Sequence, residues 1–174
     1  MALTEAQEIA RAAAGDKRAQ SALVNRHMPR VYALAKRMVS DAQEAEDITQ
    51  ETFIRAWKAM PDWEPRARFS TWLHRVALNL CYDRLRKRRD ATGVDDLPER
   101  VDTGLKPDEA LDQAQKVKAI ERAIAELPER QRAAIALTAF DGLGNIEAAA
   151  VMDTSVEAME SLIGRARRAL KAKL

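Results

Sequence analysis

The sequence predicts an all-α chain in which two small helical domains are joined by a flexible acidic linker. Three observations lead there. Aromatic residues make up only 5% of 174, Gly and Pro number six each, and Ala, Leu, Arg, Glu and Lys are abundant, a balance that favours helices over sheets. Apolar residues recur at three- and four-residue spacing behind a series of helix-start signals. Finally, charge reverses in mid-chain: Arg66 to Arg89 holds eight Lys or Arg against one acid, Asp83, for +7, whereas Asp90 to Gln115 holds eight acids against two bases, for −6. The acidic stretch contains Gly93, Pro98, Gly104 and Pro107 and few large apolar residues, so it reads as a linker. The expected division is residues 1–89, a linker over 90–107, and residues 108–174. Units of roughly 60 to 90 residues can just bury a working core.

The elements follow in order. Thr4 with Gln7 has capping-box spacing before a short Ala-rich helix, and Asp16 caps a second helix reaching toward Pro29. A third runs from about Pro29 to Val39. Asp41 with Glu44 makes another capping box, opening a helix whose apolar face carries Ala45, Ile48, Thr52 and Ala56 beside Phe53, Trp57 and Met60. Pro61 and Pro65 break the chain, and Ser70 caps a helix with Leu73, Val76, Ala77 and Leu80 on its apolar side. Trp57 and Trp72 read as core residues. In the second unit helices are expected over about 108–126 and 128–140, the latter opened by Pro128. Asn145 caps IEAAAVM, Asp153-Thr154 turns, and Ser155 begins a last helix in which Thr154 and Glu157 have capping-box spacing. This is helix-turn-helix spacing. Val156, Met159, Ile163, Ala166 and Leu170 form its apolar stripe, with Glu157, Glu160, Ser161, Gly164 and Arg168 opposite.

Composition argues against several function classes. The single cysteine, Cys81, rules out an internal disulfide framework and reads as a buried, inert thiol. No apolar run approaches the ~18 residues that span a bilayer, and the N-terminus lacks a signal pattern, so the chain is expected to be soluble and intracellular. His27 and His74 have no partners at metal-ligand spacing, and there is no phosphate-cradling glycine loop and no nucleophile elbow. Neither catalysis nor a cofactor is expected. Net charge is only +2, so an argument for nucleic acid must rest on where the charges lie.

They lie in two places. Arg75, Asn79, Tyr82 and Arg86 recur at three- and four-residue spacing, and Lys87 and its neighbours extend the charge; such a face neutralises phosphates while Asn79 offers a donor and acceptor to a base edge. The loop before it sets Trp63 beside Arg66 and Arg68, an aromatic and cationic set suited to an unstacked base. The last ten residues carry Arg165, Arg167, Arg168, Lys171 and Lys173 and no acid, more cations than a helix dipole requires. Glu44, Glu46, Asp47 and Glu51 cluster on a polar helix face that suits a basic partner.

Together DAQEAEDITQETFIRAWKAM, FSTWLHRVALNLCYDRLRKRR, ELPERQRAAIAL and the run from Gly142 to Leu170 resemble the extracytoplasmic-function sigma factors, in their two-domain form with regions 2 and 4. The resemblance covers nearly the whole chain. It implies a factor that binds core RNA polymerase through the β and β′ subunits and directs promoter-specific initiation, with an anti-sigma factor masking those surfaces. It implies that Asp47, Gln50, Glu51 and Ile54 dock on the β′ clamp. It also implies that Trp63, Arg66, Arg68, Arg75, Asn79, Arg86 and Lys87 open and hold the −10 element. The helix-turn-helix is then the −35 reader, through Arg130, Arg132, Ser155, Glu157, Glu160, Ser161, Arg165 and Arg168.

Region 4 departs from the commonest pattern. Many relatives have Val-Lys-Ser-Arg-Leu where this chain has Met159-Glu160-Ser161-Leu162-Ile163, and a subgroup shares the VEAxESL form. Glutamates at the reading end repel phosphate but accept a hydrogen bond from cytosine N4. The expectation is an altered −35 readout, with Glu160 on a base and Arg130, Arg132, Arg165 and Arg168 on phosphates. The competing readings are a stand-alone helix-turn-helix regulator and a helical adaptor that binds no DNA. Both leave the EDITQETF helix and the Trp63 loop unexplained.

Overall fold

The computed structural model describes residues 4–64, 67–92 and 109–174. Every regular element among them is helical. Helix α1 (Glu5–Ala13) opens with the predicted capping box: Gln7 N–H donates to the Thr4 hydroxyl at 3.3 Å, and Thr4 N–H donates to Gln7 Oε1 at 2.9 Å. Asp16 caps α2 (Lys17–Val39), accepting from the N–H groups of Arg18 and Ala19 at 2.9 and 3.2 Å. The sequence predicted two helices here, split at Pro29. The structure has one, with Pro29 inside it. A proline deletes one donor and crowds the preceding turn, but Leu23, His27, Val31, Leu34 and Met38 are buried along one stripe on both sides of it. Tertiary burial holds the helix straight through its weak point.

Ser40 ends α2 in the left-handed conformation, with φ 59°. Asp41 caps α3 (Ala42–Ala59), accepting from Glu44 N–H at 2.8 Å. Only that half of the predicted box forms, because the Glu44 carboxylate lies against Arg88 and 3.8 Å from Arg84. A 3₁₀ turn at Met60–Asp62 follows. Helix α4 (Phe69–Thr92) begins one residue before Ser70, the expected cap, and runs beyond Arg89. The first residues assigned to the linker therefore continue a helix. The rest of the expected linker, 93–107, lies outside the described residues.

In the second unit α5 (Glu109–Ala125) and α6 (Glu129–Ile135) follow the expected order, and α6 widens into a π turn over Ala136–Phe140. Helix α7 (Asn145–Val151) is capped by Gly144 and not by Asn145, whose amide reaches Glu160 at 3.5 Å instead. Asp153 takes a left-handed turn at φ 50°, as Asp tolerates. That turn delivers Ser155 to the N-cap of α8 (Val156–Lys173), where its hydroxyl accepts from Ala158 N–H at 3.1 Å. The cap is Ser155, one residue after the predicted Thr154. Met159, Ile163 and Ala166 are buried on the expected stripe of α8.

Helix α2 is the hub, packed against α1, α3 and α4 and, across the junction, against α5, α6 and the π turn. The two units share one apolar core, running from Ile9, Leu23 and Phe53 through Leu73 and Leu78 to Leu137, Val151 and Met159. Phe69 is wholly buried within it, with Trp72 stacked on it at 6.2 Å. Trp57 packs on Phe53 at 6.1 Å, so both tryptophans sit against the core as predicted.

Arg132 pins the junction. Its guanidinium donates to the carbonyls of Met38, at the end of α2, and of Ala125 and Leu127 in the α5–α6 corner, the last at 3.1 Å. The residue is only 7% exposed. This corrects the expectation that Arg132 anchors a promoter phosphate: in this conformation its terminal Nη donors are used inside the protein, where those carbonyls have little water to turn to. Arg132→Met should therefore lower the unfolding free energy by about 2 kcal/mol, the usual cost of stranding buried carbonyls that were bound by a charged donor. A urea melt measures it; unchanged stability with weakened DNA binding would restore the phosphate role.

Candidate functional site

Three surfaces carry the residues singled out by the sequence. The first is on α3. Asp47, Gln50 and Ile54 are exposed and Glu51 is half-buried. Their spacing of three, four and seven residues puts them on one face, opposite the buried Ala45, Ile48, Thr52 and Ala56. Glu51 accepts from Arg55 Nε at 2.8 Å, a pairing one turn apart that steadies its carboxylate. Ile54, 45% exposed, is one of the few large apolar side chains left in water and shares its face with Asp47, Gln50 and Glu51. A polar, acidic face around one apolar knob suits a basic partner with an apolar notch.

The second surface is the loop before α4 and α4 itself. Trp63 is half-buried, edge-on to Phe69 with ring centroids 5.9 Å apart. Its ring is thus partly committed to the core, and Arg68 beside it is exposed. Arg66 lies outside the described residues. On α4, Arg75, Asn79, Arg86 and Lys87 are exposed. Arg86 holds Asp83 at 2.8 Å. Tyr82, expected on the same face, instead packs against the core, and burial pushes its hydroxyl up to about 12. Its position, eleven residues after Thr71, returns it to the side of α4 that meets the second unit. Cys81 is fully buried and its thiol is pushed up to about 12 by burial, so it stays protonated and inert.

The third surface is the helix-turn-helix. Glu157, Glu160, Ser161, Arg165 and Arg168 are exposed on α8, and Arg130 is exposed on α6. The backbone N–H of Glu157 at the helix start, and next the hydroxyl of Ser155, which also serves as cap, hold the Glu157 carboxyl below its ordinary range. The acids stand at the N-terminal end and the cations toward the C-terminal end, so charge runs from negative to positive along the exposed side.

Sequence reasoning missed what joins these surfaces. Asp141, after the π turn, has a side chain only 4% exposed; one oxygen lies 3.2 Å from His74 Nε2 and the other 3.9 Å from Arg37. Arg37 also lies over the Phe140 ring, 4.1 Å from its centroid. His74 Nδ1 is 2.6 Å from the Ser70 carbonyl, which can only accept, so Nδ1 carries a proton. Nε2 faces a carboxylate and carries one too. Geometry therefore selects the imidazolium. Burial pulls the His74 pKa down, but the Asp141 carboxylate and the Ser70 carbonyl outweigh it and hold the value above the ordinary one. Arg30 on α2 is the cation that opposes it, while Arg37 stands on the other side of the same carboxylate. Thr71 donates to Glu147 on α7 at 2.7 Å, Arg75 pairs with Asp153 at 3.5 Å, and Arg89 with Glu129 at 3.5 Å. No periodicity links residues 40 or more positions apart, so no sequence signal could have found these pairs.

A raised folded-state pKa stabilises the chain below the unfolded value, about 6.5, and that contribution is lost as pH rises through the folded value. The urea midpoint of the parent should therefore exceed that of Asp141→Asn most clearly at low pH, with the gap narrowing above neutrality. An NMR titration of the His74 ring should show the raised midpoint in the parent alone.

Comparison with known proteins gives a consistent answer. The Sigma-70 region 2 family matches residues 23–91, and the Sigma-70 region 4 family matches residues 118–170. The chain is 33% identical to the ECF RNA polymerase sigma factor SigW of Bacillus subtilis, over 92% of its own length and 91% of that protein. It is 36% identical to the RNA polymerase sigma factor CnrH of Cupriavidus metallidurans, over 95% and 91%. Among solved structures, CnrH in complex with the cytosolic domain of CnrY superposes with a TM-score of 0.71 at 34% identity, covering 95% of this chain and 93% of that one. The sigma factor RpoE in complex with the anti-sigma factor NepR from Bartonella quintana superposes at 0.70 with 25% identity, covering 87% and 94%.

Proposed function

The chain belongs to the extracytoplasmic-function sigma factors, which bind core RNA polymerase and direct promoter-specific initiation without being enzymes, and from that premise we propose how its surfaces divide the work. The exposed face of α3, with Asp47, Gln50, Glu51 and Ile54, docks on the β′ clamp. The Trp63 loop with Arg66 and Arg68, followed by Arg75, Asn79, Arg86 and Lys87 on α4, receives the −10 element as its strands separate. The observation that carries this division is the contrast between neighbouring helices: α3 presents acids around an apolar knob, whereas α4 presents cations around Asn79. The first suits a basic protein and the second suits unpaired nucleic acid. No covalent step is required of the chain, because binding energy stabilises the unwound promoter while polymerase synthesises RNA.

Helix α8 meets the −35 element, with Ser155, Glu157, Glu160 and Ser161 toward the bases and Arg130, Arg165 and Arg168 on phosphates. Arg132 is left out of this set because its donors are taken by carbonyls. An anti-sigma factor holds the protein in check; the similar structures of CnrH with CnrY and of RpoE with NepR support that partnership. The site of action is the cytoplasm, where polymerase and promoter meet. No described helix is long and apolar enough to cross a membrane.

The purified chain added to core polymerase and a broad library of promoter templates should give initiation at a defined sequence; no initiation on any template would favour a stand-alone helix-turn-helix regulator or a helical adaptor instead. Asp47→Lys with Glu51→Lys should weaken polymerase binding about tenfold or more while sparing the fold, since both residues project from the polar face. Glu160→Ala should relax the preference at one −35 base pair by about 1–3 kcal/mol without weakening binding to other sequences. Identical −35 preferences in parent and variant would remove Glu160 from the base contacts.

A further inference from the structure

Asn145 stands at the first position of α7 and contributes little to its own helix. Gly144 caps α7 without any side-chain bond, and asparagine is a poorer helix former than alanine because its short amide competes with the backbone. The amide is used elsewhere. Its Nδ2 donates to Glu160 Oε1 on α8 at 3.5 Å, across fifteen residues of chain. A carboxylate only accepts, so the nitrogen is the amide atom that faces it. Both residues are exposed, so the contact lies on the open side of the helix-turn-helix.

The frame behind that contact is stiff. Ala148, Ala149 and Val151 on α7 are buried in the same core as Met159 and Ile163 on α8. Thr154 N–H donates to the Ala149 carbonyl at 3.0 Å and closes the turn between the helices. The start of α7 is thereby held at a set distance from the second turn of α8. Glu160 has no brace on its own helix. Glu157 and Val156 stand three and four residues before it, and Ile163 and Gly164 three and four after it. None is a cation: Glu157 repels it, Ile163 is buried and Gly164 has no side chain. A glutamate without a partner samples several rotamers and gives that freedom up when it binds a base.

We propose that Asn145 is a specificity-determining residue that acts through Glu160: its amide fixes the carboxylate so that the free oxygen accepts from cytosine N4 at one −35 base pair. The inference rests on the assignment of Glu160 to a base in that element. With Oε1 held by Asn145, Oε2 is left for an amino group in the major groove. A neutral donor steadies the carboxylate without cancelling its charge, as a lysine or arginine at the same place would. Glu160 therefore keeps the charge that rejects the O6 and N7 acceptors of guanine and the O4 acceptor of thymine. Asn145 is a positioning residue and touches no base itself.

The experiment measures initiation by the full-length chain with core polymerase on templates that share one −10 element and carry every base at each −35 position. Parent, Glu160→Ala, Asn145→Ala, the double variant and Asn145→Asp are compared. Asn145→Ala should lower the preference at a single base pair about fivefold, the effect of freeing the glutamate rotamers, and leave the other positions as in the parent. That pair should be the one at which Glu160→Ala acts, and the double variant should be no less selective than Glu160→Ala alone. Asn145→Asp separates positioning from a structural role. Aspartate suits a helix start at least as well as asparagine, so a structural role would keep the preference, whereas a second carboxylate facing Glu160 repels it and abolishes the preference. Position 145 is exposed, so urea melts of the variants should match the parent. Parental preference in Asn145→Ala or Asn145→Asp, where Glu160→Ala alters it, overturns the positioning role and leaves Glu160 as a reader. An effect of Asn145→Ala at a different base pair, or one that adds to Glu160→Ala, overturns it too, because Asn145 would then meet DNA on its own. No change in Glu160→Ala removes the base reading and the positioning role together.

Discussion

The placement of Asp141 between His74 and Arg37 is the constraint on which the arrangement of the two units turns. A carboxylate taken out of water is tolerated only where opposite charge meets it, and here the imidazolium and a guanidinium supply that charge from α4 and α2. His74 Nε2, Asp141 Oδ2 and Arg37 Nη1 are buried without an aligned hydrogen bond, so the cluster is held by charge and not by directed bonds. Such a contact tolerates small shifts but not removal of one member. It ties the second unit to α4 and sets which faces of both remain in water.

Arg132 reinforces the same junction by a different means. Its planar fork of donors spans carbonyls from both units, which a lysine would not satisfy. The corner between α5 and α6 is thereby fastened to the end of α2, and with it the π turn that carries Asp141. Apolar burial is continuous across the joint, from Leu34 and Met38 to Leu137 and Val151. The polar contacts decide the angle at which that burial occurs.

The two cationic ends of the chain are unequal in this frame. Helix α4 has its cations distributed along its length and partly met by acids of its own chain. Helix α8 keeps Arg165 and Arg168 on its exposed side, toward the end opposite Glu157 and Glu160.

Much was legible in the sequence because it depends on neighbours along the chain. The all-α class, the caps at Thr4, Asp16 and Asp41, the stripe of α8 and the exposed set on α3 all follow from spacing of three or four residues, which local geometry converts directly into a face. Tertiary burial overruled a local signal where Pro29 stays inside a helix and Tyr82 turns into the core, and at the exposed start of α7 Asn145 yields the cap to Gly144 while its amide reaches Glu160. Arg132 looked like a phosphate ligand because a sequence shows charge but not which carbonyls surround it. The meeting of His74 with Asp141, and of α4 with three more acids, belongs to the tertiary structure alone. Contacts between residues dozens of positions apart are set by how helices pack, and no period in the chain encodes them.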